Sequence, residues 1–182
     1  EGFKNPTSTK PTEPLQFEAQ DSTGSLINAY TTGIDVTVTT NTAADITTAS
    51  VTNENQLASQ STTFNLDFTT VHEIPIDGII IITYPDEVEP FDNTVNAVTC
   101  SLNVAFNPTC KHDSNSRTIT ISNVVTTTSL VAGSQVEITL NEMKNPSTAT
   151  PTGSFTIETY EVDSGNNYII DRINSGLTIT VN

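Results

Sequence analysis

Apolar and polar side chains alternate along most of this chain. Phe64, Leu66 and Phe68 are separated by Asn65 and Asp67, and Val136, Ile138 and Leu140 by Glu137 and Thr139. A period of two is that of a strand with one face covered and one face wet. The same period predicts strands at Leu15–Ala19, Leu26–Tyr30, Ile34–Val38, Ala97–Asn103 and Thr118–Asn123, and a weaker edge strand over Ile46–Asn53. Ile79–Tyr84 is apolar at successive positions, which predicts a central strand covered on both faces. Asp21-Ser22-Thr23-Gly24, Ile74-Pro75-Ile76-Asp77-Gly78 and Asp163-Ser164-Gly165-Asn166 read as turns. No segment carries a helical period, and Glu142–Asn145 has room for one helical turn at most. Short strands between frequent turns predict an all-β protein, a β-sandwich. Its expected core is Phe64, Leu66, Phe68, Ile79, Ile81, Val98, Leu102, Ile119, Ile121, Val136, Ile138, Leu140, Phe155, Ile157, Ile179 and Val181.

The chain also repeats itself. Lys144-Asn145-Pro146-Ser147, Pro151-Thr152, Phe155-Thr156-Ile157-Glu158 and Gly176-Leu177-Thr178-Ile179-Thr180-Val181 echo Lys4-Asn5-Pro6-Thr7, Pro11-Thr12, Leu15-Gln16-Phe17-Glu18 and Gly33-Ile34-Asp35-Val36-Thr37-Val38. Residues 1–41 therefore read as a partial repeat, a three-strand overhang, and residues 42–182 as one complete sandwich. In the overhang Leu15, Phe17, Ile34, Val36 and Val38 correspond to Phe155, Ile157, Leu177, Ile179 and Val181. So small a sheet needs something packed against its apolar face. These five residues are the candidate assembly face, to be completed by strands from a neighbouring chain or, in a tandem array, by chain upstream of Glu1; folding back onto the 42–182 sandwich is disfavoured because that unit holds its own copy of the same strands.

The run Ile74–Pro85, the paired cysteines after it, and Lys144-Asn145-Pro146-Ser147 ahead of Gly153-Ser154-Phe155-Thr156-Ile157 carry a resemblance. Together they resemble the Thr/Ser-rich, immunoglobulin-like β-sandwich repeats of large secreted surface and fibre proteins of protists and some bacteria. The resemblance covers roughly residues 46–182 as a unit and 1–41 as a fragment of another. It implies an extracellular or cell-surface structural or adhesive role, and no catalysis.

Charge narrows the partners. Six basic and 21 acidic side chains give a formal charge of −15, which argues against nucleic acid and anionic membranes. No apolar run approaches a membrane span. The chain opens on Glu1 and reads as a mature, processed product. Apolar content of 35% is lean but concentrated in the alternating runs, so the chain is expected to fold.

Candidate chemistry is sparse. Cys100 and Cys110 are spaced for a disulfide closing a short loop, with a buried thiol pair or half of a metal site beside His112 as competing readings. The secreted reading favours the disulfide. His72 and His112 sit in no recognisable nucleophile–base arrangement. Asp86, Glu87, Glu89 and Asp92 form the densest acidic cluster, a weak calcium candidate against the reading of a solvated loop. Thr126–Thr128 and Thr148–Thr152 are candidate O-glycan acceptor segments, with exposed strand threonine as the competing explanation. No cofactor is called for. The leading expectation is a homopolymeric subunit of an extracellular filament or surface layer. The alternative is an adhesive or ligand-binding module, calcium-dependent if the acidic cluster binds metal.

Overall fold

The computed structural model describes residues 6–37, 43–91, 98–105 and 107–182. Val38 and Asp92 lie outside the described residues. What is described is an immunoglobulin-like β-sandwich with a separate hairpin ahead of it. The hairpin pairs β1 (Phe17–Gln20) with β2 (Leu26–Tyr30). One sheet of the sandwich runs in the order β3 (Ala44–Asp45), β13 (Asn166–Ile173), β12 (Thr156–Asp163), β6 (Ile79–Thr83), β10 (Thr118–Ser122) and β9 (Thr109–Asp113). The other runs β4 (Ala49–Asn53), β5 (Ser61–Thr69), β11 (Gln135–Lys144) and β7 (Glu89–Pro90), with β8 (Thr99–Leu102) also on β11.

Between the sheets lie Phe64, Leu66, Phe68, Val98, Leu102, Ile119, Ile121, Val136, Ile138, Leu140, Phe155, Ile157, Leu177 and Ile179. Val181 is also buried. The rings of Phe64 and Phe155 meet edge to face with centroids 5.7 Å apart inside the core.

The structure departs from several expectations. Inside the sandwich the central strand turns Ile80 and Ile82, not Ile79 and Ile81, toward the core. Ile79 is buried on the other face and Ile81 is half-buried. Four consecutive isoleucines carry no alternation, so nothing in the run itself selects a register. The ladders with β10 and β12 fix it, and the turn before the strand is tight: a Cβ at Gly78 would stand 2.6 Å from Ile74 Cγ2 and 2.9 Å from the Pro75 carbonyl oxygen, so only glycine fits there.

Of the expected edge strand over 46–53 the structure forms β4, which starts only at Ala49 and does lie at the edge of its sheet, while β3 just ahead of it belongs to the other sheet. β3 pairs parallel with β13, Ile46 N–H bonds the Arg172 carbonyl at 2.8 Å, and β4 then joins β5. Ile46 is buried at the crossing. Glu142–Asn145 forms no helical turn; β11 continues to Lys144 through a bulge between Leu140 and Met143, with Glu142 at φ 60°. Ile34–Val36 and Leu177–Ile179 are held by isolated hydrogen bonds and are not ladder strands. Last, β7 and β9 are strands without a strand signal in the sequence, since Glu89-Pro90 sits in the acidic loop and Thr109–Asp113 carries little apolar content.

Candidate assembly face

The overhang is ordered by its own polar contacts. Asp21 Oδ1 accepts hydrogen bonds from Thr23 N at 2.8 Å, Thr23 Oγ1 at 2.7 Å and Ser25 N at 2.9 Å. The Thr23 hydroxyl, followed by the Ser25 and Thr23 amides, holds the Asp21 carboxyl below its usual pKa. Gly24 completes the turn at φ 85°. Asn28, opposite Ala19, lies beside a register shift in the short ladder.

The hydrogen bonds of the C-terminal tail recur in the overhang. Thr12 N–H bonds the Val36 carbonyl at 2.9 Å and Leu15 N–H bonds the Ile34 carbonyl at 2.8 Å. In the tail, Thr152 N–H bonds the Ile179 carbonyl at 3.0 Å and Phe155 N–H bonds the Leu177 carbonyl at 2.8 Å. The hydroxyls match as well: Val36 N–H donates to Thr12 Oγ1 at 3.0 Å, and Ile179 N–H to Thr152 Oγ1 at 3.2 Å. Solvent exposure differs. Phe155 and Ile157 are fully buried, whereas Leu15 is 39% and Phe17 57% exposed. Ile34 and Val36 are exposed too, and Leu26, Ile27 and Tyr30 extend the apolar surface. Of the five assembly candidates the structure thus brings Leu15, Phe17, Ile34 and Val36 onto one exposed hairpin; Val38 lies outside the described residues.

The strand edge differs in the same way. In the sandwich β12 is flanked by β13 on one side and β6 on the other, with Ile157 opposite Ile82. β1, its counterpart, pairs with β2 alone among the described residues. The overhang is not adrift, however. Ser8, Thr9 and Lys10 dock on β12 and β13: Ser8 Oγ donates to Glu161 Oε2 at 2.6 Å, Thr9 N–H to the Ile169 carbonyl at 2.9 Å, and Lys10 Nζ to Glu161 Oε1 at 3.0 Å. Lys10 Nζ also stands 3.3 Å from Asp163 Oδ2. The Glu161 and Asp163 carboxylates push the Lys10 pKa up.

The other candidate residues have structural partners. Cys100 and Cys110 form a disulfide with Cα atoms 6.0 Å apart, and it ties β8 of one sheet to β9 of the other. Asp86 pairs with Arg117, Glu89 Oε1 with Lys144 Nζ at 2.6 Å, and Glu87 Oε2 accepts from Gly153 N at 3.2 Å. These three acidic residues turn to three different partners, and among the described residues no cluster of three or more potential metal ligands occurs.

His112 Nε2 and the Tyr84 hydroxyl are 2.7 Å apart in the interior, and burial lowers the His112 pKa. His72 Nδ1 is 2.8 Å from Oδ1 of the fully buried Asp171, whose Oδ2 accepts from Val71 N at 2.9 Å and His72 N at 3.0 Å. Asp171 thereby ties β13 to the loop after β5. No sequence signal marks it, because a strand aspartate normally faces water.

An open cleft of about 550 Å³ is lined by Glu54, Asn55, Ser61, Thr62, Thr63, Thr99, Asn141 and Glu142. It offers hydroxyl, amide and carboxylate groups and no aromatic ring.

No family model matches the chain, and no curated protein does. Solved structures with a similar arrangement exist. The bacterial hydrophobin BslA is 16% identical, with 74% of this chain and 98% of that one covered and a TM-score of 0.41. A putative membrane anchored protein from Corynebacterium diphtheriae is 14% identical over 89% of this chain and 44% of its own, at a TM-score of 0.37. The collagen-binding domain of a Staphylococcus aureus adhesin is 9% identical over 73% and 95%, at 0.35. At these TM-scores no property of the three is carried over to this chain.

Proposed function

We propose that the chain is a non-catalytic structural unit of an extracellular filament or surface layer, joined head to tail where strands of a neighbouring unit complete its N-terminal half-sandwich. One observation carries the reading. Leu15, Phe17, Ile34 and Val36 keep the hydrogen bonds of a buried sandwich tail while their side chains face water. Burying such side chains gains about 25 cal/mol for each Å² of apolar surface. The complement is defined by the second copy: a strand like β6 antiparallel to β1, and a phenylalanine like Phe64 against Leu15. A contact in which one end of a unit meets the other end of the next does not close on itself, so it propagates as a filament.

The Cys100–Cys110 bridge supports an oxidising, extracellular setting. A non-catalytic role is supported by the two histidines, each held by a structural partner, Asp171 or Tyr84. Leu15→Glu together with Phe17→Glu tests the proposal. Both side chains are exposed in the single chain, so the variant should unfold at the temperature of the intact chain and stay monomeric in light scattering and negative-stain microscopy. Filaments of the variant would overturn the reading. Monodisperse particles of the intact chain would favour the adhesive or ligand-binding alternative.

A further inference from the structure

The junction between overhang and sandwich is itself a recognition contact. Three consecutive residues, Ser8, Thr9 and Lys10, are read by Glu161, Ile169 and Asp163 of the β12–β13 hairpin, and Ser8 is only 3% exposed. The overhang is thus seated on the sandwich that follows it.

The seat-forming segment occurs twice. Asn5-Pro6 and Pro11-Thr12 frame the first copy, and Asn145-Pro146 and Pro151-Thr152 frame the second at the same spacing. Thr148, Ala149 and Thr150 therefore stand where Ser8, Thr9 and Lys10 stand. All three are exposed. Their flanks are anchored. Asn145 is buried, with Nδ2 donating to the Leu57 carbonyl at 2.9 Å and Oδ1 accepting from Asn53 Nδ2 at 2.8 Å. The Pro146 carbonyl accepts from Ser59 N at 3.0 Å, and Thr152 N donates to the Ile179 carbonyl. Between these anchors the Thr148 and Thr150 hydroxyls are 2.8 Å apart. A segment held at both ends loses little freedom on docking.

From this we infer that Thr148–Thr150 is the docking element for a following copy of this unit, whose β12–β13 hairpin seats on it as the same hairpin here seats on Ser8–Lys10. The inference rests on the head-to-tail reading above and assigns the contact at the opposite end of the unit, which forms when the following copy's own Ser8–Lys10 has left the seat. Ala149 N–H takes the place of Thr9 N–H against the following copy's Ile169 carbonyl. That bond is made by the backbone, so alanine supplies it as well as threonine does. The Thr148 hydroxyl takes the place of Ser8 Oγ against that copy's Glu161. Thr150 has no ammonium to offer where Lys10 meets Glu161 and Asp163, so this joint lacks the ion pairs of the one in the structure.

The test is a two-unit chain in which residues 1–182 are followed directly by a second copy of 40–182. Val181 and Asn182 then precede that copy as Val38 and Thr39 precede the first. Amide hydrogen exchange at Ala149 of the first copy is expected to slow about tenfold or more relative to the single-unit chain. Thr150→Lys should slow it further in the two-unit chain and change nothing in the single unit. An unchanged rate at Ala149, with the core amides of the second copy protected, overturns the inference.

A second measurement needs no fusion. A chain carrying Ser8→Asp, Thr9→Pro and Lys10→Glu frees the β12–β13 seat, because it removes the Thr9 N–H and sets two carboxylates against Glu161 and Asp163. Mixed with an isotope-labelled Thr150→Lys chain and a carbodiimide, it should give a cross-link from the introduced lysine to Glu161 or Asp163 of the other chain. No such link also overturns the inference. Neither measurement depends on β1 and β2 being covered, so the completion of the half-sandwich and this joint stand or fall separately.

Discussion

Leu15 and Phe155 make the same backbone hydrogen bond, each 2.8 Å long, yet Leu15 is 39% exposed and Phe155 is fully buried. The difference lies in what faces them. Phe155 has Phe64 across the sandwich, and Leu15 projects from a hairpin with no second sheet over it among the described residues. Truncation should therefore act differently at the two sites. Phe155→Ala should cost about 3–5 kcal/mol in urea unfolding. Leu15→Ala should stay within about 0.5 kcal/mol and weaken assembly instead. Equal losses of stability at both sites would mean that the hairpin is covered by its own chain.

The register of β6 gives a second expectation. Ile82→Ala removes a fully buried side chain and should cost about 2–5 kcal/mol. Ile81→Thr, on the half-buried outer face, should cost less than about 1 kcal/mol. The opposite ranking in chemical denaturation would place the strand one residue out.

Replacing both Cys100 and Cys110 by serine should lower stability by about 2–3 kcal/mol, the chain-entropy value for so short a loop. The two sheets lose a covalent tie at β8 and β9 but keep their common core. The variant should thus remain folded by circular dichroism, and denaturation curves of the oxidised and double-serine chains that superimpose would count against the estimate.

His112 sets a pH dependence. Burial lowers its pKa from the ordinary 6.5, so the unfolded chain takes up this proton before the folded chain does. The contribution of the neutral ring is present in full above about pH 6.5 and is lost as pH falls from there toward the depressed value. Melting temperature should decline over that window. His112→Gln keeps a polar side chain beside Tyr84 and cannot titrate, so its melting temperature should decline less; identical slopes for both proteins would exclude His112 as the source.

The proposed association brings a charge dependence with it. Units carrying −15 each repel one another, and screening shortens that repulsion to about 8 Å near physiological salt. Raising ionic strength should lower the concentration at which assemblies appear in light scattering. A critical concentration indifferent to salt would remove the electrostatic argument.

Much of the fold is written locally. Alternation in Phe64–Phe68 and Val136–Leu140 marks both strands and their buried faces, because one face of a pleated strand must leave water. The kinship of Leu15–Val36 with Phe155–Ile179 is legible too, since turn residues and strand period recur at matching positions. Other features depend on residues remote in sequence. The isoleucine run has no polar residue to orient it, and its register follows from the ladders with β10 and β12. The split of 44–53 between two sheets requires β13 and β5 to be in place on either side. Asp171 is buried because the amides of Val71 and His72 converge on it, and no local pattern announces that meeting. Leu15 and Phe17 have the sequence of core residues, and only the three-dimensional arrangement shows them in water, because burial belongs to the pair of surfaces that meet and among the described residues no second sheet faces them.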